Sequence, residues 1–177
     1  MKKIIFILFS LTLAVVSCKN KDEAKTDATT SGTKSDAGLP YEPSYTTEFT
    51  NNVPDSDLRI TLNSYKAWEN GDMKALRATM GDSMTVYGSN GFRFNGFTDS
   101  LMKQWEISRD SLSGVKITMQ VWLKNHSVKY NIDYINVWYT EIDTYKSGKV
   151  DSANYEDDNG MREGKIFWFS SHKQLLK

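Results

Sequence analysis

The stretch Tyr130–Tyr145, Y-N-I-D-Y-I-N-V-W-Y-T-E-I-D-T-Y, decides how the rest of the chain is read. Rich in β-branched and aromatic residues and free of proline and glycine, it predicts one long strand. Side chains alternate across a strand, so Tyr130, Ile132, Tyr134, Trp138 and Ile142 share one face. Ile135, Val137 and Tyr139 share the other, flanked by Asp133, Glu141 and Asp143. The middle is apolar on both sides, as in a central strand with helices over one face and something else, such as a second subunit, over part of the other.

Working outward, Val115, Ile117, Met119, Val121 and Leu123 alternate with Lys116, Thr118, Gln120, Trp122 and Lys124, the pattern of a half-buried strand. After the long strand come a turn at Lys146–Lys149, a strand from Val150 to about Asp157, and a last strand from Lys165 to His172. The turn joining those two falls either at Asp158-Asn159-Gly160 or at Glu163-Gly164, the second with the preceding strand running on through Met161. Upstream, Leu58, Leu62, Tyr65 and Trp68 recur at helical spacing after Pro54, with Asp55 or Asp57 as cap and Asn70-Gly71 as stop. Asp72 caps a shorter helix carrying Met73, Leu76 and Met80, ended by Gly81. A hairpin follows, with Met84 and Val86 alternating with Thr85 and Tyr87, then Ser89-Asn90-Gly91 and Phe92–Phe94. Thr98 opens a third helix, with Asp99 in its first turn, Leu101, Trp105 and Leu112 on its apolar side, and Gly114 at its end.

This order makes an α+β fold. The helix ending Trp68-Glu69-Asn70-Gly71-Asp72, the following Met73–Leu76, the Asn95-Gly96-Phe97 approach to the third helix and the terminal Gly164-Lys165-Ile166 strand resemble the nuclear transport factor 2-like superfamily, which includes the polyketide-cyclase-like group and ketosteroid isomerase. The resemblance spans roughly residues 55–172. It implies a curved antiparallel sheet wrapped around three N-terminal helices, cone-shaped, with a ligand held between the first helices and the concave sheet. The residues it implies for lining that cone are Tyr65, Trp68, Tyr87, Trp105, Met119 and Trp138, with polar groups from Asn154, Glu156, Ser170 or His172.

Isomerase chemistry needs a carboxylate base and donors for an enolate oxygen. The resemblance places the base near the end of the strand after the second helix, where this chain has Tyr87 and Gly88, and Asp82 reads as a turn residue. The domain is therefore expected to bind a small apolar ligand or a protein partner without catalysis; the alternative is a lyase, cyclase or isomerase acting on a small hydrophobic substrate. His126 and His172 read as solvated strand-end residues and Glu156–Gly160 as a solvated turn. With no phosphate-binding glycine loop, Cys/His cluster or Gly-x-Ser-x-Gly elbow, no cofactor and no metal are expected.

The amino terminus carries a different message. Lys2 and Lys3 precede thirteen positions, Ile4–Val16, that are apolar except for Ser10 and Thr12. That is a secretory leader, short of the roughly 20 residues a bilayer span needs. Val15-Val16-Ser17-Cys18 resembles the bacterial lipobox, which implies cleavage before Cys18 and acylation of this sole cysteine. Two or more acyl chains would anchor the protein stably. Lys21-Asp22-Glu23 is either a sorting signal of the kind that sends lipoproteins to the outer face of the outer membrane or the start of a solvated linker. Residues 18–51, polar and poor in aliphatics, read as a disordered tether reaching roughly 30 Å.

The expected organisation is thus a leader at 1–17, a tether at 18–51 and a domain at 52–177, lipid-anchored in the outer membrane and facing the periplasm or the cell surface. The domain's 16 basic and 16 acidic side chains balance, and nothing in the sequence suggests a nucleic-acid surface, which needs a clustered basic face. If the helices cover only the Tyr134–Trp138 face, then Ile135, Val137, Tyr139 and Trp122 form a bare apolar patch suited to a homodimer, unless Lys173–Lys177 folds back over it.

Overall fold

The computed structural model describes Pro40, Tyr41 and residues 43–176. The leader, Cys18 and most of the tether lie outside the described residues. The elements are β1 (Phe49–Thr50), α1 (Asp55–Asn70), α2 (Met73–Ala78), β2 (Met80–Tyr87), β3 (Arg93–Phe97), α3 (Thr98–Asp110), β4 (Leu112–Ser127), β5 (Ile132–Tyr145), β6 (Val150–Arg162) and β7 (Lys165–Leu175). The strands form one sheet in the order β1-β4-β5-β6-β7-β2-β3. This α+β architecture corrects the expectation of an antiparallel sheet at one pair, because β2 runs parallel to β7.

Local chemistry sets most boundaries. Asp72 caps α2 by accepting from the Ala75 amide at 2.9 Å. Gly71 ends α1 at φ +71°, a left-handed conformation that glycine adopts without steric cost. Neither Asp55 nor Asp57 caps α1; Pro54 occupies that position, and the two carboxylates stand in the first turn, where they complement the helix dipole. Two expected stops fall inside strands instead, since Gly81 lies in β2 and Gly114 in β4. The β6–β7 turn uses Glu163 and Gly164, both at positive φ, so β6 continues through the acidic run. Residues ahead of position 51 also join the sheet. Phe49 and Thr50 pair with Ser127 and His126, and the Tyr45 ring stacks on Tyr130 at 4.2 Å.

The face assignment inverts. Ile135, Val137 and Tyr139 are buried in the core with Tyr65, Ala67, Leu76, Leu101 and Met102 from the three helices, and are not a bare patch. Burying Ile135 and Val137 completely contributes about 1.5–3 kcal/mol each. Tyr134 and Trp138 lie on the opposite, outer face. Trp122, the cross-strand partner of Val137, shares the inner side but is 48% exposed near the sheet edge. The tail does not fold back over any patch, because residues through Leu175 extend β7 and pair with β6.

Candidate functional site

A cavity of about 570 Å³ lies between the helices and the inner face of the sheet. Ser64, Tyr65 and Trp68 reach it from α1, Leu76 from α2, and Trp105 from α3. The helical repeat places Tyr65 and Trp68 on one face, and a clamp holds the end of α1 in place. Arg109 of α3 donates to the carbonyls of Trp68 (2.9 Å) and Glu69 (3.1 Å), satisfying two groups that a helix terminus leaves open. Its guanidinium packs against Gly71, where a side chain would crowd it.

The sheet side of the cavity carries its chemistry. Asp157, on β6, is fully buried. Its Oδ2 accepts from the hydroxyls of Tyr139 (2.8 Å) and Tyr65 (3.0 Å). The Asn159 amide in turn donates to the Tyr65 oxygen and to the Ile135 carbonyl, both at 3.1 Å. Asp157 Oδ1 makes no hydrogen bond, although Ser171 faces the residue across the β6–β7 ladder. Burial pushes the Asp157 carboxyl up to about 6, while the hydroxyls of Ser171, Tyr139 and Tyr65 favour its ionised form. Both tyrosines are driven well above the ordinary phenol range by burial and by the Asp157 charge.

A second carboxyl, Glu141 on β5, lines the same cavity. Burial, helped by the charges of Asp143 and Asp157 and opposed by Lys173, pushes it up to about 8. Asp143, two residues along the same face, is also raised by burial. Lys173 is turned over the Tyr155 ring at 5.2 Å. Burial thus raises both carboxyls of the cavity, Glu141 further than Asp157, between aromatic walls.

Of the residues expected to line a cone, Tyr65, Trp68 and Trp105 do line the cavity. Met119 lies on the inner face and packs against the core without reaching the cavity wall. Tyr87, Trp138, Asn154, Glu156, Ser170 and His172 are on the outer face, a correction that follows from the strand registers. Trp138 pairs with Glu156, Glu156 with His172, and Tyr87 with Ser170. Directly paired residues share a face, so these side chains turn together away from the cavity. Asp157, Asn159, Tyr139, Glu141 and Tyr155, which do face it, were not among the expected lining residues. His126 is paired with Asp133 at 2.5 Å instead of standing free in solvent. The acidic run cannot converge on an ion, because Glu156 and Asp158 point outward and Asp157 inward. Among the described residues no group of three or more His, Cys, Asp or Glu could hold a metal.

Comparison with known proteins identifies the fold. No protein-family model matches the sequence, and no curated protein matches it. Solved structures do match. An LEH-like epoxide hydrolase of M. tuberculosis superimposes with a TM-score of 0.57 at 11% identity, over 68% of this chain and 84% of that one. A ketosteroid isomerase-like protein of Erwinia carotovora gives 0.57 at 14%, over 70% and 98%. An NTF2-like protein of Burkholderia pseudomallei gives 0.54 at 14%, over 67% and 91%. The chain has the nuclear transport factor 2-like fold. At these identities the likeness extends to the fold alone, and function has to be argued from the site.

Proposed function

We propose that this domain is a cone-shaped binding module for a small, largely apolar molecule, carried on the cell envelope by lipid attached to Cys18. The observation that carries the reading is the cavity itself. About 570 Å³ of space is walled by Trp68, Leu76, Met84, Trp105 and Phe169, and the polar groups of Asp157, Tyr139 and Glu141 converge on it. Pockets of that size, mostly apolar with a few placed polar groups, are the usual form of a small-molecule site. Trp68 and Trp105 make the test direct. Hydrophobic ligands should change tryptophan emission in the wild type, and Ser108→Trp, which fills the rim from an exposed position on α3, should abolish the response without unfolding the domain. A response unchanged by Ser108→Trp would reject this cavity as the site.

A second reading, turnover of a small hydrophobic substrate by lyase, cyclase or isomerase chemistry, draws support from the two perturbed carboxyls. Environments that drive neighbouring acids apart, here to about 6 and about 8, suit one to accept and the other to donate a proton. The lack of a carboxylate at Tyr87 carries no weight against it, since Tyr87 faces away from the cavity. Loss of turnover in both Asp157→Asn and Glu141→Gln, with ligand binding retained, would establish catalysis.

The anchoring part has its own test. Mass spectrometry of the native protein should show loss of residues 1–17 and acyl mass on Cys18, and an unmodified Cys18 would refute the anchor; membrane fractionation should then find the protein in the outer membrane, where the domain would face the periplasm or the surface. Association of two copies is proposed through the outer sheet face, where Val121 and Leu123 are 47% and 49% exposed beside half-buried Trp138. A strictly monomeric full-length protein in sedimentation at high concentration would exclude it.

A further inference from the structure

The hydrogen bonds at the cavity floor run in one direction, and that direction selects a ligand. The Tyr65 and Tyr139 hydroxyl protons go to Asp157 Oδ2. Both amide protons of Asn159 are used, one on the Tyr65 oxygen and one on the Ile135 carbonyl. The Ser64 hydroxyl donates to the Thr61 carbonyl at 2.7 Å. The donors of Tyr65, Tyr139, Asn159 and Ser64 are thus committed, the Ser171 hydroxyl stands beside Asp157 across the ladder, and the unbonded Oδ1 of a fully buried Asp157 is left as an open acceptor on the cavity. A buried acceptor without a partner is costly, and a buried carboxylate without a counter-charge more so.

No cation supplies that charge. Asp157 takes part in no salt bridge among the described residues, and Lys173, which lines the same cavity, lies over the Tyr155 ring with its charge acting on Glu141 and Asp143. The surrounding walls are aromatic. Tyr65 and Tyr139 meet edge to face at 5.1 Å, and Tyr139 stacks with Tyr155 at 5.1 Å. Ring faces attract cations, more strongly where water is excluded.

We propose that the molecule seated in this cavity is an organic amine bound as its ammonium ion, donating an N–H to Asp157 Oδ1 with its hydrocarbon part against the aromatic walls. The inference rests on the ligand-binding reading above and narrows it to one chemical class. A neutral alcohol would satisfy the acceptor without neutralising the charge, and a carboxylate would meet acceptor against acceptor.

The test compares matched probes on the full-length protein by calorimetric titration at neutral pH: cyclohexylmethylamine, cyclohexylmethanol, cyclohexanecarboxylate and the quaternary cyclohexylmethyl-trimethylammonium ion. The amine should bind about tenfold or more tightly than the alcohol, the margin of a charge-assisted hydrogen bond over a neutral one. The carboxylate should bind worst. The quaternary ion, charged but without N–H, should be several-fold weaker than the amine, a comparison that needs no mutation. Asp157→Asn should erase the preference for amine over alcohol, whereas Ser171→Ala, which leaves the carboxylate intact, should keep it. Equal binding of amine and alcohol, a quaternary ion as tight as the amine, or a folded Asp157→Asn that retains the preference would overturn the assignment while leaving the cavity a binding site. Failure of all four probes to bind would overturn both.

Discussion

The two faces of this sheet are made by alternate residues of the same strands, yet they handle polar groups in opposite ways. On the outer face, polar side chains form shallow ladders at the surface. Asn125 donates to Asn136 at 2.6 Å and Asn136 donates to Asp158, while Gln120, Thr140 and Asn154 make a second row with contacts of 2.8 Å. Water can complete any bond these rows leave open. On the inner face the hydroxyls of Tyr65 and Tyr139 are buried and aimed at the Asp157 carboxyl, and one of its oxygens, like one of Asp143, stays unbonded. The same chemistry that is replaceable outside becomes decisive inside, because a buried polar group has no solvent to fall back on.

The same charge placed on each face of β5 should have very different costs. Val137→Lys buries an ammonium among apolar side chains and should cost upwards of about 4 kcal/mol or prevent folding. Ile142→Lys, on the outer face and 36% exposed, should stay within about 1 kcal/mol. Similar costs by chemical denaturation would show the faces wrongly assigned.

Next in size is the pH dependence. Asp157 is held at about 6 in the fold against 3.8 unfolded. Its folded value is raised, so the folded state binds the extra proton between those values. The associated stability is fully present below about pH 4 and lost as pH rises through 6, amounting to about 3 kcal/mol. Glu141, raised from 4.5 to about 8, extends the decline to higher pH. Urea melts across this range should therefore show stability falling as pH rises, with Asp157→Asn flattening the lower part and Glu141→Gln the upper. An unchanged profile in both variants would remove the carboxyls from the account.

Tyr139→Phe should cost about 1.5–3 kcal/mol, the worth of a hydrogen bond to a charged group, and should raise the Asp157 titration further. Smallest is Trp138→Ala. Its ring is half-buried on the outer face, so the loss should fall below the roughly 3–5 kcal/mol of a core aromatic, and the cavity's ligand response should not change. A core-sized loss would mean that the outer face is as tightly packed as the inner.

The same comparison explains what could be read in advance. Parts of the helices were legible, with Asp72 as cap, Gly71 as stop, and Tyr65, Trp68 and Trp105 on the inward side, because an amphipathic helix has one apolar stripe; the cap of α1 and the ends at Gly81 and Gly114 were not. β5 has two. With Tyr134, Trp138 and Ile142 on one side and Ile135, Val137 and Tyr139 on the other, the strand alone does not reveal which faces inward, and a single-residue choice moves every side chain across the sheet. The outer set was coherent, since Trp138, Glu156 and His172 do share a face. Alternation through the neighbouring strands does not decide between the faces either, because both mix polar and large apolar residues. The Trp138 face continues into Asn154, Asp158, Ser170 and Gln174 but also carries Tyr134 and Trp168, whereas the Val137 face continues into Ala153, Met161, Ile166 and Phe169 but also carries Asp157, Asn159 and Ser171. Asp157 stayed hidden because it sits in an acidic run that looks like a solvated turn until β6 is seen to continue to Arg162.

The central claim is that Asp157 is a buried, half-satisfied acid on the inner face and not one more surface carboxylate of that run. Carboxyl-detected NMR titration of the full-length protein, assigned with Asp157→Asn, measures this directly. A midpoint near 6 for Asp157 is the result predicted here; a midpoint at or below about 4, the ordinary range of a solvated aspartate, would contradict it.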